Sequence, residues 1–385
     1  MFFCGLFCLN PNDMRPTFAE IDLSAINSNL KNIRKRIGRL PLIMAVVKAN
    51  AYGHGVIPVA QSIIRNRTAQ YFGVAIVEEG VELRAAKIHF PIHVFTAPLQ
   101  NQLGLYVEND LEATLCNMAV ARSLNTIAKK KGKTASVHIK VDTGMGRIGI
   151  PEKDAVQFIE SVHAMSNISV KGIWTHFATS DEEDLSFSNG QLQRFRSIVT
   201  QLELKGIHIP LVHCANSGAI MQMPDSYFDM VRPGIMMYGY TPSTETRKTV
   251  ELREALSVKG KIGFIKTVEK GTSISYSRRY FAKKRTTIAS VTVGYADGYF
   301  RTLTNKAAVL INGKRFPVAG TVCMDQIMID VGNEPVKVGD EVVLIGKSGK
   351  KKITAWDISR AIGTIPYEVT CAVSQRVPRK YINGK

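Results

Sequence analysis

The chain lacks the features that mark several large classes of protein. Its six cysteines form no CxxC pair and show no metal-ligand spacing, which argues against a metal site and a disulfide framework. No apolar run approaches the ~20 residues of a membrane-spanning helix. No GxGxxG motif, the fingerprint of dinucleotide-binding folds, follows an early apolar run. We therefore expect a cytoplasmic protein with reduced cysteines and no metal ion.

Acidic residues are scarce relative to basic ones, with 32 Asp and Glu against 50 Lys and Arg and a net charge of +18. Such a balance raises the question of nucleic-acid binding. The positive charge is spread along the chain, however, and its densest runs, 129–133 and 347–352, are typical of solvated helix ends and loops. We therefore expect a generally basic surface, and neither a nucleic acid nor a membrane as a partner.

The N-terminal stretch "MFFCGLFCLNPNDM" lacks the basic n-region and the clean cleavage site of a signal peptide. Met14 begins a more ordinary N-terminus, so residues 1–13 are interpreted as an upstream extension. Residues 14–21 include a lone predicted strand ahead of the first helix. Because the next region supplies eight strands of its own, we expect this strand to join the C-terminal domain.

Residues 22–245 alternate short apolar runs with amphipathic helical patterns. Asp22 is a candidate N-cap for the first helix. The eight strand candidates are "PLIMAVV", "YFGVAIV", "PIHVFTA", "LEATLC", "SVHIKVD", "VKGIWTHF", "PLVHCA" and "DMVRPG". Eight strands alternating with helices predict a parallel, TIM-like (β/α)8 barrel, with an open doubly wound sheet as the competitor.

The remaining residues, 246–385, are rich in β-strand patterns such as "GKIGFIKTV" and "TTIASVTVGY". Asn312-Gly313 is a strong signal for a tight hairpin turn. The predicted fold class is therefore α/β, with the barrel followed by a C-terminal, mainly β domain.

Polar residues follow the predicted barrel strands at the end where such barrels place their active sites. Lys48 follows the first strand in "VVKANAYGHG", Lys140 and Arg147 lie in "KVDTGMGRIG", and His176 ends the sixth strand in "WTHFATSD". Taken singly, Lys48 could be a lysine that reaches into water, Arg147 could form a surface ion pair, and His176 could be a hydrogen-bonded core histidine. Together, at one rim of one barrel, they indicate an active site.

The last two strands end in groups suited to an anion. "HCANSG" carries Asn216 and Ser217, which could also be a plain helix cap, and "VRPGIMMYG" carries Arg232 and Gly234. Hydroxyl and backbone N–H groups near helix starts often bind phosphate in such barrels. A lysine facing a phosphate site matches the needs of pyridoxal 5'-phosphate (PLP), whose aldehyde forms a Schiff base with a lysine.

These motifs, with "SISYSRRY", "VGYADGY", "VCMDQIMID" and "TIPYEVTC", resemble those of the alanine racemase family from about Met14 to Tyr381. The resemblance implies a PLP-dependent isomerase that interconverts L-alanine and D-alanine and supplies D-alanine for bacterial cell-wall peptidoglycan. It also implies a homodimer whose active sites are shared between subunits.

The resemblance implies two catalytic bases, Lys48 on the D-face, which also carries PLP, and Tyr276 on the L-face from the other subunit. Racemisation needs a proton removed from one face of the carbon and returned on the other, so a second acid–base group must stand opposite the first. A free tyrosine has a pKa of about 10. In the family, a histidine matching His176 and an arginine lower the cost of ionising this phenol.

The resemblance assigns further roles. Arg232 faces the pyridine nitrogen and keeps it unprotonated, and Arg147 contacts the PLP phenolate oxygen and the substrate carboxylate. Lys140 matches a lysine that is often carbamylated and that positions this arginine. The remaining residues contact the phosphate (Tyr52, Ser217, Gly234, Ile235 and Tyr367), bind the substrate carboxylate through a backbone N–H (Met324), line the opening (Tyr295) or support these groups (Asn216 and Asp325).

One position departs from the family pattern, since Ser277 stands where a glycine usually follows the catalytic tyrosine. A positive φ at this position would strain serine. Three rival functions stay open. They are a PLP-dependent amino-acid decarboxylase on the same barrel, a broad-specificity amino-acid racemase, and a non-enzymatic PLP-binding protein. A decarboxylase would have an acidic residue at the pyridine nitrogen, and a broad-specificity racemase would usually have a signal peptide. A non-enzymatic PLP-binding protein would lack the β domain.

Overall fold

The computed structural model describes residues 15–384. The chain forms two compact units, one of residues 23–254 and the other of the preceding residues together with 255 onward. The proposed extension, 1–13, lies outside the described residues. Strand β1 (Phe18–Asp22) belongs to the second unit.

The first unit is a nearly closed barrel of eight parallel strands. Its strands, with the short β7 beside β6, are β2 (Leu42–Val46), β3 (Tyr71–Val74), β4 (Ile92–Val94), β5 (Glu112–Leu115), β6 (Ala135–Asp142), β7 (Ile150–Pro151), β8 (Ile168–Trp174), β9 (Leu211–His213) and β10 (Met230–Val231). The order of pairing is β10-β2-β3-β4-β5-β6-β8-β9. At the seam between β9 and β10, the Arg232 N–H donates to the Ala215 carbonyl at 2.9 Å. The predicted barrel and its eight strands are confirmed.

One helix precedes the first barrel strand and the others lie between or after the strands. Their apolar residues recur every three to four positions, which suits packing against the sheet. They are α1 (Leu23–Ile37), α2 (Val56–Asn66), α3 (Val77–Ala85), α4 (Leu103–Glu108), α5 (Met118–Lys130), α6 (Glu152–His163), α7 (Ser186–Leu204) and α8 (Ser217–Gln222). None of the helices in the described part of the chain combines the length and the hydrophobicity needed to cross a bilayer.

The interior of the barrel holds a group of fully or almost fully buried rings, His93 on β4, His138 on β6, Trp174 on β8 and His213 on β9. The His93 and His138 ring centroids lie 4.3 Å apart, and the Trp174 and His213 rings stack in parallel at 6.0 Å. These strands are not all neighbours in the sheet, so the rings meet across the barrel.

The second unit is mainly β. Its strands after β1 are β11 (Leu256–Val268), β12 (Ser273–Ile274), β13 (Tyr280–Phe281), β14 (Thr286–Val291), β15 (Ala308–Ile311), β16 (Lys314–Pro317), β17 (Ile327–Gly332), β18 (Glu341–Ser348), β19 (Lys351–Ile353) and β20 (Arg379–Ile382). Two helices, α9 (Ala355–Ile362) and α10 (Pro366–Cys371), complete it. Strand β1 lies between β11 and β20. Asn312 and Gly313 both have positive φ and join β15 to β16, which confirms the predicted hairpin turn.

The division between the units falls after Glu254, beyond the 245 at which the sequence pattern changes. Hydrogen bonds to α1 account for the difference. The Asn29 amide donates to the Arg253 carbonyl at 2.8 Å and accepts from the Arg253 N–H at 2.8 Å. The Asn32 amide donates to the Glu251 carbonyl at 3.0 Å.

Candidate active site

Four basic side chains lie near His176 at the C-terminal end of the barrel strands. Burial lowers the pKa of His176 well below its usual range, and the positive charges of Arg232, Arg147, Lys140 and Lys48 lower it further. These residues follow or end four different strands, so the barrel gathers side chains that are distant in sequence. The result is a strongly positive site around a neutral imidazole.

The turn after Lys48 is left-handed. Residues 49–52 have φ values of 52–53°, although none of them is glycine, and such a conformation costs roughly 1–2 kcal/mol per residue. The Glu79 carboxylate stabilises the turn by accepting from the Ala49 N–H at 2.6 Å. The Asn50 side chain accepts from the Val56 N–H at 2.8 Å. The turn places Lys48 and Tyr52 at the same end of the barrel.

Tyr52, Ser217 and Gly234 form a small cradle of polar groups. The Gly234 N–H donates to the Ser217 hydroxyl at 3.0 Å. A Cβ atom added at Gly234 would lie 2.6 Å from the Tyr52 hydroxyl and 3.8 Å from that of Ser217. The cradle therefore exists because this position is glycine, and its hydroxyl and N–H groups suit a phosphate group. Ile235 follows as the first residue of a 3-10 turn, Ile235–Tyr238.

Asn216 caps α8, because its side chain accepts from the Ala219 N–H at 3.1 Å. The Ser180 hydroxyl donates to the same Asn216 oxygen at 2.6 Å. The cap fixes the start of the helix whose first residue is Ser217. Asn216 thus has the ordinary capping role, while the Ser217 hydroxyl faces Gly234.

Arg232 is buried, with 3% of its surface exposed. Its guanidinium donates to the carbonyls of Thr175 at 2.8 Å and Cys214 at 3.0 Å. It also faces the Nδ1 atoms of His213 at 2.8 Å and His176 at 3.3 Å. Burial lowers the pKa of Arg232 to about 10, so the group stays cationic at neutral pH. Because a guanidinium has only donors, both Nδ1 atoms must accept.

Lys140 is 1% exposed, and its Nζ donates to the Val141 carbonyl at 2.7 Å. Burial lowers its pKa to about 7, Asp142 opposes this shift, and the positive charges of Arg232 and Arg147 add to it. A substantial fraction of this amine is therefore uncharged at neutral pH, whereas an exposed lysine is almost fully protonated.

The loop that carries Arg147 is organised by Asp142. Burial raises the pKa of Asp142, but the N–H groups of Gly144 and Gly146 outweigh this effect and lower it. They donate to the carboxylate at 3.0 and 3.1 Å. Arg194 holds the same loop by donating to the Thr143 carbonyl at 2.7 Å. The Arg147 side chain itself is exposed.

In the second unit, Tyr276 is 69% exposed and lies between residues with strained backbone. Ser275 has φ 66° and ψ −177°, and Ser277 has φ 60°. The position of Ser277 therefore does require the positive φ that favours glycine. The Ser275 hydroxyl donates to the Thr321 carbonyl at 2.6 Å, and the Thr321 hydroxyl donates to the Tyr276 carbonyl at 2.8 Å. These two bonds hold the backbone on both sides of the phenol.

Tyr295 and Met324 lie on touching segments of the same unit. The Tyr295 N–H donates to the Cys323 carbonyl at 3.0 Å. A Cβ atom at Gly294 would lie 2.2 Å from the Met324 carbonyl oxygen, so only glycine permits this approach. The side chains of Tyr295 and Met324 are both exposed.

Two further predicted residues lie in the second unit. The Asp325 carboxylate accepts from the Arg376 guanidinium at 2.7 Å. Tyr367 is the second residue of α10 and is partly buried.

Both parts of the chain match models of a single family. Residues 21–242 match the alanine racemase N-terminal domain, and residues 255–381 match the alanine racemase C-terminal domain. The chain belongs to the alanine racemase family. This result confirms the family, and with it the enzyme class, that the motifs predicted.

Individual proteins agree with this assignment. The chain is 47% identical to an alanine racemase of Halothermothrix orenii over 97% of this chain and 99% of that protein. A solved alanine racemase of Clostridium difficile 630 superposes with a TM-score of 0.91 at 40% identity, over 96% and 97% of the two chains. A histidine racemase of Leuconostoc mesenteroides superposes with a TM-score of 0.88 at 29% identity, over 96% and 99%. The fold thus serves more than one amino-acid racemase.

Several residues that contact the predicted site residues of the two units were not predicted from the sequence. Glu79, Thr321 and His213 act through hydrogen bonds to the backbone of Ala49, to the backbone of Tyr276 and to Arg232. For His213 a signal was present, because a polar residue inside the apolar run "PLVHCA" calls for a buried partner. For Glu79 and Thr321 no local signal exists, since their partners are distant in sequence.

Proposed function

We propose that this protein is a PLP-dependent alanine racemase that interconverts L-alanine and D-alanine by a two-base mechanism. The observation that carries the proposal is the position of Lys48 at the same barrel end as the cradle of Tyr52, Ser217 and Gly234. When bound, PLP supplies a conjugated ring that stabilises the negative charge left on the substrate carbon after its proton is removed.

The residues of the barrel fit this cofactor. Tyr52, Ser217, Gly234 and Ile235 would bind the phosphate, with Tyr367 as a further contact, and Lys48 would form the covalent link. Arg232 would face the pyridine nitrogen. The Arg232 pKa of about 10 keeps the guanidinium protonated at neutral pH, so this group can donate hydrogen bonds but cannot accept a proton. The nitrogen then stays unprotonated, which limits the ring as an electron sink and disfavours transamination.

Lys48 and Tyr276 would move the protons. The Lys48 amine would exchange the proton on the D-face of the carbon, and the partner subunit's Tyr276 would exchange it on the L-face. His176 supports the phenol. Its Nδ1 faces Arg232, so its single proton lies on Nε2. A neutral N–H donor in a site that also holds the positive charges of Arg232 and Arg147 lowers the cost of a phenolate.

Arg147 and the backbone N–H of the partner subunit's Met324 would bind the substrate carboxylate. The uncharged fraction of Lys140 can attack carbon dioxide, forming an N–C bond and releasing a proton, and the resulting carbamate would attract and position Arg147. Tyr295 would narrow the opening and favour a small side chain such as that of alanine. Asn216 would support the phosphate-binding residues by capping α8. Asp325 would support the substrate-binding residues through its bond to Arg376.

We place this reaction in the cytoplasm, where it would supply D-alanine for bacterial peptidoglycan. The absence of a CxxC pair from the sequence supports this location.

The experiment that tests this function uses Lys48→Ala and Tyr276→Phe. Each should abolish most racemisation, because each removes one base. Deuterium wash-in from D-alanine should depend mainly on Lys48 and wash-in from L-alanine mainly on Tyr276. The control is Tyr299→Phe. In the part of the chain that the structure describes, the buried Tyr299 hydroxyl has no hydrogen-bond partner, so its loss should leave the rate unchanged.

Mixing the two inactive variants tests the shared site. A hybrid dimer contains one site with both Lys48 and Tyr276, so activity should partly return. No recovery after demonstrated subunit exchange would mean that both bases come from one chain. L-histidine should be assayed in parallel, because a histidine racemase shares this fold. Faster turnover of histidine than of alanine would overturn the proposed substrate.

A further inference from the structure

A row of hydrogen-bonded side chains runs through the barrel interior from Arg232 to Glu112. Arg232 Nη1 lies 2.8 Å from His213 Nδ1. His213 Nε2 lies 2.9 Å from His138 Nδ1, and His138 Nε2 lies 2.8 Å from Glu112 Oε2. Both histidines are fully buried and Glu112 is 8% exposed. The row therefore joins a buried cation to a buried carboxylate through two imidazoles.

Only one arrangement of protons satisfies all three contacts. Arg232 can only donate, so His213 Nδ1 must carry a lone pair and the single proton of His213 must lie on Nε2. That proton is donated to His138 Nδ1, which must also carry a lone pair. His138 is then neutral as well, with its proton on Nε2, and donates to the Glu112 carboxylate. A doubly protonated His138 would leave no acceptor for His213.

The row also connects Arg232 to a carboxylate through hydrogen bonds. Among the residues that the structure describes, no carboxylate forms an ion pair with Arg232, whose other contacts include backbone carbonyls, His176 and the Trp174 ring, 5.1 Å from the guanidinium carbon. A buried cation needs compensation, because its removal from water is costly. Glu112 is the carboxylate at the far end of the chain of bonds. Polarisation of hydrogen bonds along such a chain transmits its charge toward the guanidinium.

We propose that Glu112 is a positioning residue of the racemase reaction, which accepts from His138 Nε2, stabilises the one proton arrangement that Arg232 also requires, and so helps to hold Arg232 in place. Its importance for catalysis rests on the proposed function, in which Arg232 faces the pyridine nitrogen of PLP. The alternative is a purely structural role, in which the bonds of Glu112 to His138 and to the Tyr71 hydroxyl at 3.4 Å contribute to stability alone. In that case the loss of Glu112 would leave the tautomer of His213 unchanged.

Nitrogen NMR of the holoenzyme with ¹⁵N-labelled histidine tests the proton arrangement directly. The chain has eight histidines, and His138→Gln and His213→Gln identify the two signals by their loss. We expect both residues to be neutral, with a proton on Nε2 and none on Nδ1. A proton on Nδ1 of either residue at neutral pH would overturn the proposal.

Two substitutions at Glu112 separate its acceptor oxygen from its charge. Glu112→Leu removes the acceptor, and we expect a changed tautomer population at His138 or His213 and a kcat lowered by about tenfold, with KM nearly unchanged. Glu112→Gln keeps an acceptor oxygen and should keep both tautomers, with a smaller loss of kcat. The matched control is Glu108→Gln, which removes an exposed carboxylate paired with Lys131 at 2.7 Å. It should change neither quantity.

Wild-type tautomers and wild-type kcat in Glu112→Leu would overturn the proposal. If that variant does not fold, the wild-type spectrum and Glu112→Gln decide, and an unchanged kcat in Glu112→Gln would contradict the role of the charge. The tautomer measurement does not depend on racemase activity. A protein that fails to racemise alanine would therefore refute the proposed function, while the spectrum still decides the hydrogen-bond chain.

Discussion

Gly234→Ala should weaken PLP binding while leaving the barrel folded. The new Cβ atom would lie 2.6 Å from the Tyr52 hydroxyl, whereas ordinary contacts begin near 3.4 Å, so the hydroxyl has to move by roughly 0.8 Å. Gly234 has φ −104° and ψ −104°, a combination outside the regions that alanine favours. The substitution therefore combines the clash with backbone strain at the same position.

A shift of that size takes a hydrogen bond of about 2.8 Å beyond its useful range. Losing one bond to a charged group costs about 1.5–3 kcal/mol, so the Kd for PLP should rise roughly 10- to 150-fold. The assay is titration of the cofactor-free protein with PLP, followed by absorbance. The control is Gly104→Ala in α4, where the nearest atom to the new Cβ is 3.9 Å away. Its Kd should equal that of the wild type.

Tyr52→Phe decides whether the clash is the cause. Without the hydroxyl, the nearest Tyr52 atom to the new Cβ is Cζ at 3.4 Å, an acceptable contact. Gly234→Ala should then raise the Kd by a smaller factor in the Tyr52→Phe background than in the wild type, since the two changes remove the same bond and only the backbone strain remains. Fully additive effects of the two substitutions on the Kd, or a Gly234→Ala protein that binds PLP like the wild type, would refute the role of the cradle in PLP binding.

Two further predictions concern Lys140 and Thr321. The pKa of Lys140 is about 7 in the folded protein and about 10.4 in the unfolded protein. Burial of the charged amine therefore lowers the free energy of unfolding most below pH 7, and this cost decreases up to about pH 10 as the buried amine loses its proton. Lys140→Met should therefore stabilise carbon dioxide-free protein more at pH 6 than at pH 10 in urea unfolding, and equal effects would contradict the shift. Thr321→Val removes the bond to the Tyr276 carbonyl and should lower kcat about two- to tenfold with PLP affinity unchanged. An unchanged kcat would show that this bond does not position the phenol.

The barrel was predictable because its signals are local. Each strand is a short apolar run, and the alternation with helical patterns defines the fold class. The tight turn at Asn312-Gly313 was equally clear, since both residues tolerate positive φ. The boundary near residue 254 was not predictable. It depends on side chains of α1, such as Asn29, that hydrogen-bond to a segment more than two hundred residues away.

The candidate site was predictable only in part. Residues that follow a strand, such as Lys48, Arg232 and His176, could be placed at one barrel end from sequence order alone. The proton positions on His138 and His213 could not, because they depend on the contact between the two rings and on partners in two other segments, Glu112 and Arg232. Sequence identifies which groups can donate or accept, and the tertiary structure decides which of them do.

The strained backbone beside both proposed bases also depends on tertiary contacts that local sequence does not reveal. Lys48 precedes four left-handed residues without a glycine among them, and Tyr276 lies between Ser275 and Ser277, both with positive φ. Such conformations cost of order 1–3 kcal/mol each and persist only where surrounding contacts enforce them. Here the enforcing groups are Glu79 for the first segment and Thr321 for the second. Because local sequence disfavours both conformations, each base is held by tertiary contacts, and substitutions at those contacts should affect catalysis before they affect the fold.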